Sequence, residues 1–309
     1  MNANDKRIPL NIGNSLTIQK RNYYIRDVVG YGGNCLAYCS EREASENERE
    51  IGIPNVPAII KEFYPLELVA GIKRNYNGEL VTQSEQGLFN TLKDRFESGT
   101  AKQTAFSISD GNHSLPLPVY AALNGTAYTA VTLTNGQTLD VCVESLSMLE
   151  KADVITSLCN AIGKLHTVGN LYLDVKPPNI FVFEKDANES RRVALFDFDT
   201  VTAVDAVNDA VISFSEGWSP YEQTNLRREE ITFSTDIYAI GAVCYWLYSG
   251  KKISDFILDE VIRGRFGFLD EVEGLHSNKR LKETISQILS ATLKRLPDKR
   301  AQRVEDILS

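Results

Sequence analysis

Between Leu171 and Phe183 the chain sets an acid (Asp174), a lysine (Lys176) and an amide (Asn179) on one short stretch. A second apolar run, Val193 to Phe196, then delivers Asp197, with Asp199 two residues on. An acid can accept a hydroxyl proton, a lysine can steady a moving anion, and an amide with a second acid can hold a hard cation through oxygen. Together they are the kit needed to hold Mg-ATP beside a hydroxyl. Asp174 alone reads as a turn or cap acid; the four residues in register carry the reading. Upstream, Gly30-Tyr-Gly32-Gly33-Asn34-Cys35 lies between two strand-like runs, so its peptide N–H groups could approach phosphates without side-chain obstruction. A plain hairpin accounts for the same glycines. Lys61 ends an apolar strand where a cation could reach inward to phosphates, its plain alternative being a lysine in water.

Elements to hold these residues are legible on both sides. Tyr24 to Val29, Leu36 to Cys39 and Ala58 to Phe63 read as strands, with an acidic loop from Glu41 to Glu50 before the third. Asn77-Gly78 and Asn124-Gly125 are hairpin signals, and the second joins Leu117–Leu123 to Ala127–Leu133. Leu88, Phe89, Leu92 and Phe96 recur at helical spacing, which predicts one helix inside a mostly β unit. After Thr134-Asn-Gly136 the character changes. Ile155, Leu158, Ile162 and Leu165 mark an amphipathic helix ending near His166 and Gly169, and segments from Ser234 onward read as helical. The insertion from Pro65 to Gln83 and the loop from Lys185 to Arg192 read as plain tolerated hairpins.

Bulk properties bound the remainder. The 309 residues allow a sizeable core and two subdomains, and 43% hydrophobic with 24% charged residues describes an ordinary globular protein. The longest apolar run, Ile237 to Tyr248, stops well short of a membrane span, and Met1 to Arg7 precedes no signal-peptide core, so no membrane role and a cytoplasmic location are expected. A net charge of −8 argues against a non-specific grip on nucleic acid. Lys294 to Arg303 reads as a solvated helix end. Five scattered cysteines without a Cys-x-x-Cys pair read as reduced thiols. His113 and His276 sit in polar text as surface residues, and His166 as packing beneath the loop that carries Asp174.

From about Tyr23 to Leu308 the chain resembles the protein kinase family, specifically bacterial kinases of the eukaryotic Ser/Thr type. Gly30 to Tyr38 is similar to the glycine-rich loop, with Cys35 at the usual third glycine, and Ala58-Ile-Ile-Lys61 to the third-strand Val-Ala-Ile-Lys. Tyr128 to Leu139 resembles the hinge, with Val131 as gatekeeper and Thr132 and Leu133 offering backbone groups to adenine. Leu165 to Asn179 resembles the catalytic loop and its entering helix. By that similarity Asp174 accepts the substrate proton, Lys176 steadies the transferred phosphoryl group, and Asn179 and Asp197 hold Mg²⁺. Gly217-Trp-Ser219-Pro220-Tyr-Glu222 resembles the Ala-Pro-Glu segment, Arg300 the late arginine that pairs with its glutamate, and Asp236 the helix acid that braces the catalytic loop.

The resemblance implies an α+β, bilobal kinase-like fold: an extension over 1–22, a small β-rich lobe with one main helix over 23–133, and a larger, mainly helical lobe over 134–309. It implies a Ser/Thr protein kinase using ATP and Mg²⁺ on a protein hydroxyl, under the control of a regulatory partner or of the short N-terminal extension. The chain departs from the family at three points. Tyr172-Leu173-Asp174 replaces His-Arg-Asp, so a cation for a phosphorylated activation loop is missing and constitutive or partner-controlled activity is expected. Asp199 replaces the glycine of Asp-Phe-Gly, losing freedom at positive φ. The glutamate that should pair with Lys61 is assigned to Glu97, with Glu85 and Gln103 as alternatives. Two rival readings of the same residues are a nucleotide-gated pseudokinase scaffold and a small-molecule phosphotransferase.

Overall fold

The computed structural model describes residues 5–109, 117–133, 136–185, 189–275 and 278–307. His113, His276, Thr134 and Asn135 lie outside the described residues. The chain divides into two compact units, residues 1–134 and 135–309.

The first unit holds β1 (Ser15–Ile18), β2 (Arg21–Tyr31), β3 (Cys35–Arg42), α1 (Glu46–Glu50), β4 (Val56–Phe63), β5 (Ile72–Arg74), β6 (Leu80–Thr82), α2 (Gln86–Ser109), β7 (Val119–Leu123) and β8 (Thr126–Thr132). Six strands form one antiparallel sheet in the order β1-β2-β3-β4-β8-β7, and β5 and β6 form a separate hairpin. The stretch before Tyr23 supplies the edge strand β1, whose Leu16 and Ile18 are buried in strict alternation. The acidic run expected as loop contains α1, because Ser45 and Glu48 close a capping box: Glu48 N–H donates to Ser45 Oγ at 3.3 Å and Ser45 N–H to Glu48 Oε2 at 2.7 Å. Among its described residues the unit therefore has two α-helices where one main helix was expected. At the β7–β8 turn Asn124 and Gly125 both take positive φ, 53° and 69°, as the Asn-Gly signal requires. A Cβ on Gly125 would also stand 2.0 Å from Leu80 O, so β6 can approach only a glycine.

Side chains alternate across a strand, and the register decides what each face carries. Lys61 is opposite Ala37 and Thr129, while Glu62 is opposite Leu36 and Tyr128. Lys61 and Glu62 therefore face opposite sides of the sheet. Two residues beyond Lys61, Phe63 meets Phe89 and Phe96 of α2 at ring-centroid distances of 5.2 and 5.8 Å. On the other side Glu62, fully buried, accepts from Tyr38 Oη and Tyr128 Oη at 2.6 Å each and from Arg74 Nη2 at 2.7 Å. Arg74 belongs to the β5–β6 hairpin and also donates from Nε to Ile8 O at 2.7 Å. The insertion expected as a tolerated hairpin is thus fastened to the sheet, and the N-terminal segment to the hairpin.

The second unit holds β9 (Gly136–Thr138), α3 (Leu139–Cys142), α4 (Met148–Thr167), β10 (Asn170–Leu171), β11 (Ile180–Phe183), β12 (Val193–Leu195), β13 (Thr202–Ala203), α5 (Tyr221–Thr224), α6 (Phe233–Ser249), α7 (Asp255–Ile262), α8 (Phe268–Glu271) and α9 (Lys279–Thr292). A Ser147–Glu150 capping box starts α4, and Ile155, Leu158, Ile162 and Leu165 are buried as their spacing predicts. Nearly every residue of α6 is buried, so its long apolar run is that of a helix packed on all sides. Among the described residues no helix is long and apolar enough to cross a membrane. A Cβ on Gly241 of α6 would stand 2.1 Å from Thr292 Oγ1, which fixes how closely α9 lies on α6. In the basic stretch near the C-terminal end Arg295, Lys299 and Arg303 are exposed as expected, but the segment holds a 3-10 turn over Pro297–Lys299 rather than a helix end, and the Arg300 side chain is fully buried.

Replacing Arg74 with Leu is expected to cost about 3–5 kcal/mol, because Glu62 is left charged and buried without its cation. Urea unfolding of the two proteins measures this; a loss below about 1 kcal/mol would mean that the two phenols alone satisfy the carboxylate.

Candidate active site

Asp174, Lys176 and Asn179 converge within the second unit. Lys176 Nζ lies 2.8 Å from Asp174 Oδ2. Asn179 Nδ2 donates to the same oxygen at 2.7 Å and to Asp174 O at 3.0 Å. The remaining oxygen, Oδ1, accepts from Ser215 Oγ at 2.9 Å, and Lys176 Nζ donates to that hydroxyl at 3.1 Å. Ser215 belongs to none of the motifs legible in the sequence. Its role in clamping Asp174 spans 41 residues, and the one sequence signal for it is a hydroxyl shortly before Gly217 to Glu222.

The strand register brings Asp197 to the same end as Asn179. β11 and β12 pair antiparallel with Ile180 opposite Leu195, and Phe196 N–H donates to Asn179 O at 2.9 Å. Asp197 follows immediately in the left-handed region, at φ 64° and ψ 71°, a conformation that aspartate tolerates better than most residues. Asp199 lies in the 3-10 turn Phe198–Thr200 and is not among the positive-φ residues. The expectation that it gives up glycine's freedom there is corrected: the left-handed residue of this stretch is Asp197.

The loop that carries Asp174 is held from below by Asp236 in the first turn of α6. Asp236 Oδ2 accepts from Tyr172 N–H at 2.8 Å and lies 2.9 Å from His166 Nε2, while Oδ1 accepts from Leu173 N–H at 2.8 Å. His166 packs beneath the loop and against Phe233, with ring centroids 4.6 Å apart. Presenting two successive N–H groups to one carboxylate coincides with a left-handed backbone at Leu173, φ 64°, which for a leucine stores about 1–3 kcal/mol of strain. The Leu173 side chain, at the position where the family's pattern has an arginine, is buried with Leu171, Val207, Ile212 and Ile231. Gln223 Nε2 caps Leu173 O at 2.6 Å and Ser213 O at 2.7 Å. Arg228 Nη1 donates at 2.6 Å to both Val207 O and Ala210 O. Tyr172 is wholly buried, and its hydroxyl donates to Phe196 O. Burial, followed by the charges of Asp174, Asp197, Asp236 and Asp199, pushes its phenol well above the ordinary range, so it remains a neutral donor.

In the first unit the Gly-rich turn joins β2 to β3. Gly30 is opposite Ala37. Gly33 has open space where a Cβ would be, and Gly32 would meet only Cys35 O at 3.4 Å. None of Gly30, Gly32 and Gly33 takes positive φ, so neither conformation nor internal packing demands glycine at position 33. Glu97 is exposed on α2 and accepts from Tyr120 Oη at 3.1 Å. Val131 and Thr132 end β8, opposite Ile59 and Ala58. The N–H of Leu133 donates to Pro57 O at 2.8 Å. That N–H is therefore committed within the sheet, and the expectation that Leu133 offers its backbone to a purine narrows to its carbonyl.

The family model for the protein kinase domain matches residues 122–309, more than half of the chain. The chain belongs to this family. The kinase domain is 26% identical over 183 residues to serine/threonine-protein kinase F of Synechocystis sp., a match covering 57% of this chain and 34% of that protein. It is 28% identical over 131 residues to serine/threonine-protein kinase PknA of Mycobacterium tuberculosis, covering 41% and 29%. The matches thus span about a third or less of these relatives' length. Among solved structures, the apo form of PpkA-294 superposes with a TM-score of 0.64 at 22% identity over 97% of this chain and 98% of that one. The PknI kinase domain of Mycobacterium tuberculosis gives 0.57 at 15% identity over 97% of each. These likenesses establish the protein kinase fold.

The pair expected between Glu222 and Arg300 is formed inside this kinase domain, with Arg300 Nη2 donating to Glu222 Oε2 at 3.0 Å and both side chains fully buried. Thr235 Oγ1 adds a bond to Glu222 Oε1 at 3.1 Å. Glu222→Leu is expected to destabilise the second unit by about 3–5 kcal/mol through the orphaned guanidinium. The double variant Glu222→Leu with Arg300→Met should recover most of that loss in a chemical-denaturation series; failure to recover would mean that shape, rather than charge, dominates this contact.

Proposed function

We propose that this chain transfers the γ-phosphoryl group of Mg-ATP to a Ser or Thr hydroxyl of a protein substrate, with Asp174 as the base. The observation that carries the reading is the clamped carboxylate: one oxygen of Asp174 is held by Lys176 and Asn179, the other by Ser215. Fixing the base costs nothing at the moment of reaction, and positioning with charge neutralisation supplies most of the rate in phosphoryl transfer. An acceptor hydroxyl at Asp174 would lose its proton to the carboxylate as the phosphoryl group arrives. Lys176, already beside the acid, would offset the charge of that group.

The donor chemistry suits Mg²⁺. Asn179 spends its amide nitrogen on Asp174, which leaves its oxygen as a hard donor alongside the carboxylate of Asp197. Among the described residues no cluster of three or more His, Cys, Asp or Glu forms a cage. Magnesium is ordinarily held by one or two protein oxygens together with substrate phosphates. When bound, the metal neutralises phosphate charge and orients the transferring group. In the first unit, open space at Gly33 supports a phosphate approach by the turn at Gly30, Gly32 and Gly33. Lys61 is assigned to the phosphates, Glu97 to the support of Lys61, and Val131, Thr132 and the Leu133 carbonyl to adenine. The names of the relatives support Ser/Thr as the acceptor class.

Leu173 supports a kinase that works without a phosphorylated activation segment. A buried leucine among Val207, Ile212 and Ile231 offers no cation to a phosphate. Apolar packing and the two carbonyl bonds from Arg228 hold that segment instead.

Labelled Mg-ATP with a generic protein acceptor tests the reading: Asp174→Ala should lower transfer by about 10²–10⁴-fold. Wild type that binds ATP in a Mg²⁺-dependent way but transfers nothing would turn the reading to a nucleotide-gated scaffold or a small-molecule phosphotransferase. Phosphatase-treated wild type is expected to keep its full rate, and a requirement for rephosphorylation would overturn the assignment made to Leu173.

A further inference from the structure

The N-terminal segment carries a buried cation that the chemistry above does not use. The Arg7 side chain is fully buried and paired with Asp5, whose side chain is 4% exposed, through Nη2–Oδ2 at 2.6 Å and Nε–Oδ1 at 3.0 Å. The guanidinium holds the Asp5 carboxyl below the usual carboxylate range. Its other nitrogen, Nη1, reaches 28 and 57 residues along the chain, donating to Cys35 O at 3.3 Å and to Tyr64 O at 2.7 Å.

Those two carbonyls are where the phosphate-handling elements of the first unit end. Cys35 opens β3 directly after the Gly-rich turn, and Tyr64 follows the last residue of β4, three residues past Lys61. The strands are in register there, with Cys35 opposite Phe63. The backbone continues the tie: Tyr64 N–H donates to Asn34 O and Leu66 N–H to Gly33 O, both at 2.8 Å, and Gly32 N–H donates to Cys35 O at 2.9 Å. A guanidinium fork suits such a junction, because its donors lie in one rigid plane and can serve a carboxylate and two carbonyls at once. The rest of the N-terminal segment is sewn to the same side of the sheet, where Leu10 N–H donates to Tyr38 Oη at 3.1 Å.

We propose that Arg7 is a positioning residue for the nucleotide phosphates: it fixes the Gly-rich turn relative to Lys61 from behind the sheet. The inference rests on the nucleotide reading above and extends it to a residue that touches no substrate. Two groups that grip one polyphosphate act together only if their separation is held, and a misplacement on the order of 1 Å is enough to lose much of the benefit. The segment from Asp5 to Leu10 thereby becomes a strap whose seating sets phosphate affinity.

Arg7→Lys tests the proposal, since lysine keeps the charge that Asp5 needs but as a single ammonium cannot reproduce the fork. Arg7→Gln with Asp5→Asn removes both charges together and guards against an unfolded single variant. Two measurements are made on the full chain. Hydrogen exchange without nucleotide should accelerate across 30–36 and 64–66 in the variants and stay unchanged in α4 and α6. Binding of Mg-ATP should weaken by about 5- to 10-fold, a coupling of ordinary size, while binding of adenosine, which has no phosphates, stays within twofold. Equal losses for Mg-ATP and adenosine would mean general loosening of the unit and would overturn the proposal, as would unchanged exchange at 30–36 in a folded variant. Wild type that binds neither ligand would remove the nucleotide reading itself, with exchange still reporting whether the strap braces the turn.

Discussion

The carboxylate of Asp236 is the constraint on which the loop that carries Asp174 depends. It sits near the N-terminus of α6, where unsatisfied N–H groups favour negative charge, and accepts from two consecutive backbone amides and from His166. An ordinary loop would turn those amides to different partners. Held together on one acid, they keep Leu173 left-handed, and the next residue is Asp174. The strain at Leu173 persists because its surroundings over-determine it: its amide, its carbonyl and its side chain are each engaged, by Asp236, Gln223 and an apolar cluster.

Buried charge recurs in both units under one rule. Glu62 with Arg74, Asp5 with Arg7 and Glu222 with Arg300 are each removed from water, and each acid or base has further polar partners. Such pairs add little net stability compared with apolar packing, yet losing one partner is costly. Their effect here is to join distant segments in a single arrangement: a hairpin to a sheet, an N-terminal strap to the Gly-rich turn, and the segment before α6 to the chain's last turns. At Leu173 the opposite choice is made. Apolar packing stands where the family resemblance calls for a cation, and the charge that does hold that stretch, on Arg228, is spent on backbone carbonyls.

Period and turn chemistry made much of the fold legible. The apolar stripes of α2 and α4, the Asn124-Gly125 hairpin and the switch from strand-like to helical text all rest on local rules that a sequence displays. The motif residues Asp174, Lys176, Asn179 and Asp197 were legible for the same reason: their spacing along the chain is short, and strand pairing completes it. α1 escaped notice because its Ser45–Glu48 capping box lies inside an acidic run that also suits a loop. Ser215, Arg228, Gln223 and Arg7 escaped because each acts through a bond to a residue far along the chain, and no periodicity marks such a donor.

The sequence by itself determined the chemistry-bearing residue types and their order, since these depend on short spacing, and its ordered motifs carry the resemblance to the protein kinase family. Tertiary structure alone decided the partners that no motif marks. It joined Ser215 to Asp174 and Arg7 to Cys35 and Tyr64, spent the Leu133 N–H on Pro57, and gave the left-handed backbone to Asp197 rather than to the residue in the glycine's place. The physical reason is burial: a charge or amide chooses its partner only once water is gone, and what excludes water is the packing of segments that the sequence lists far apart.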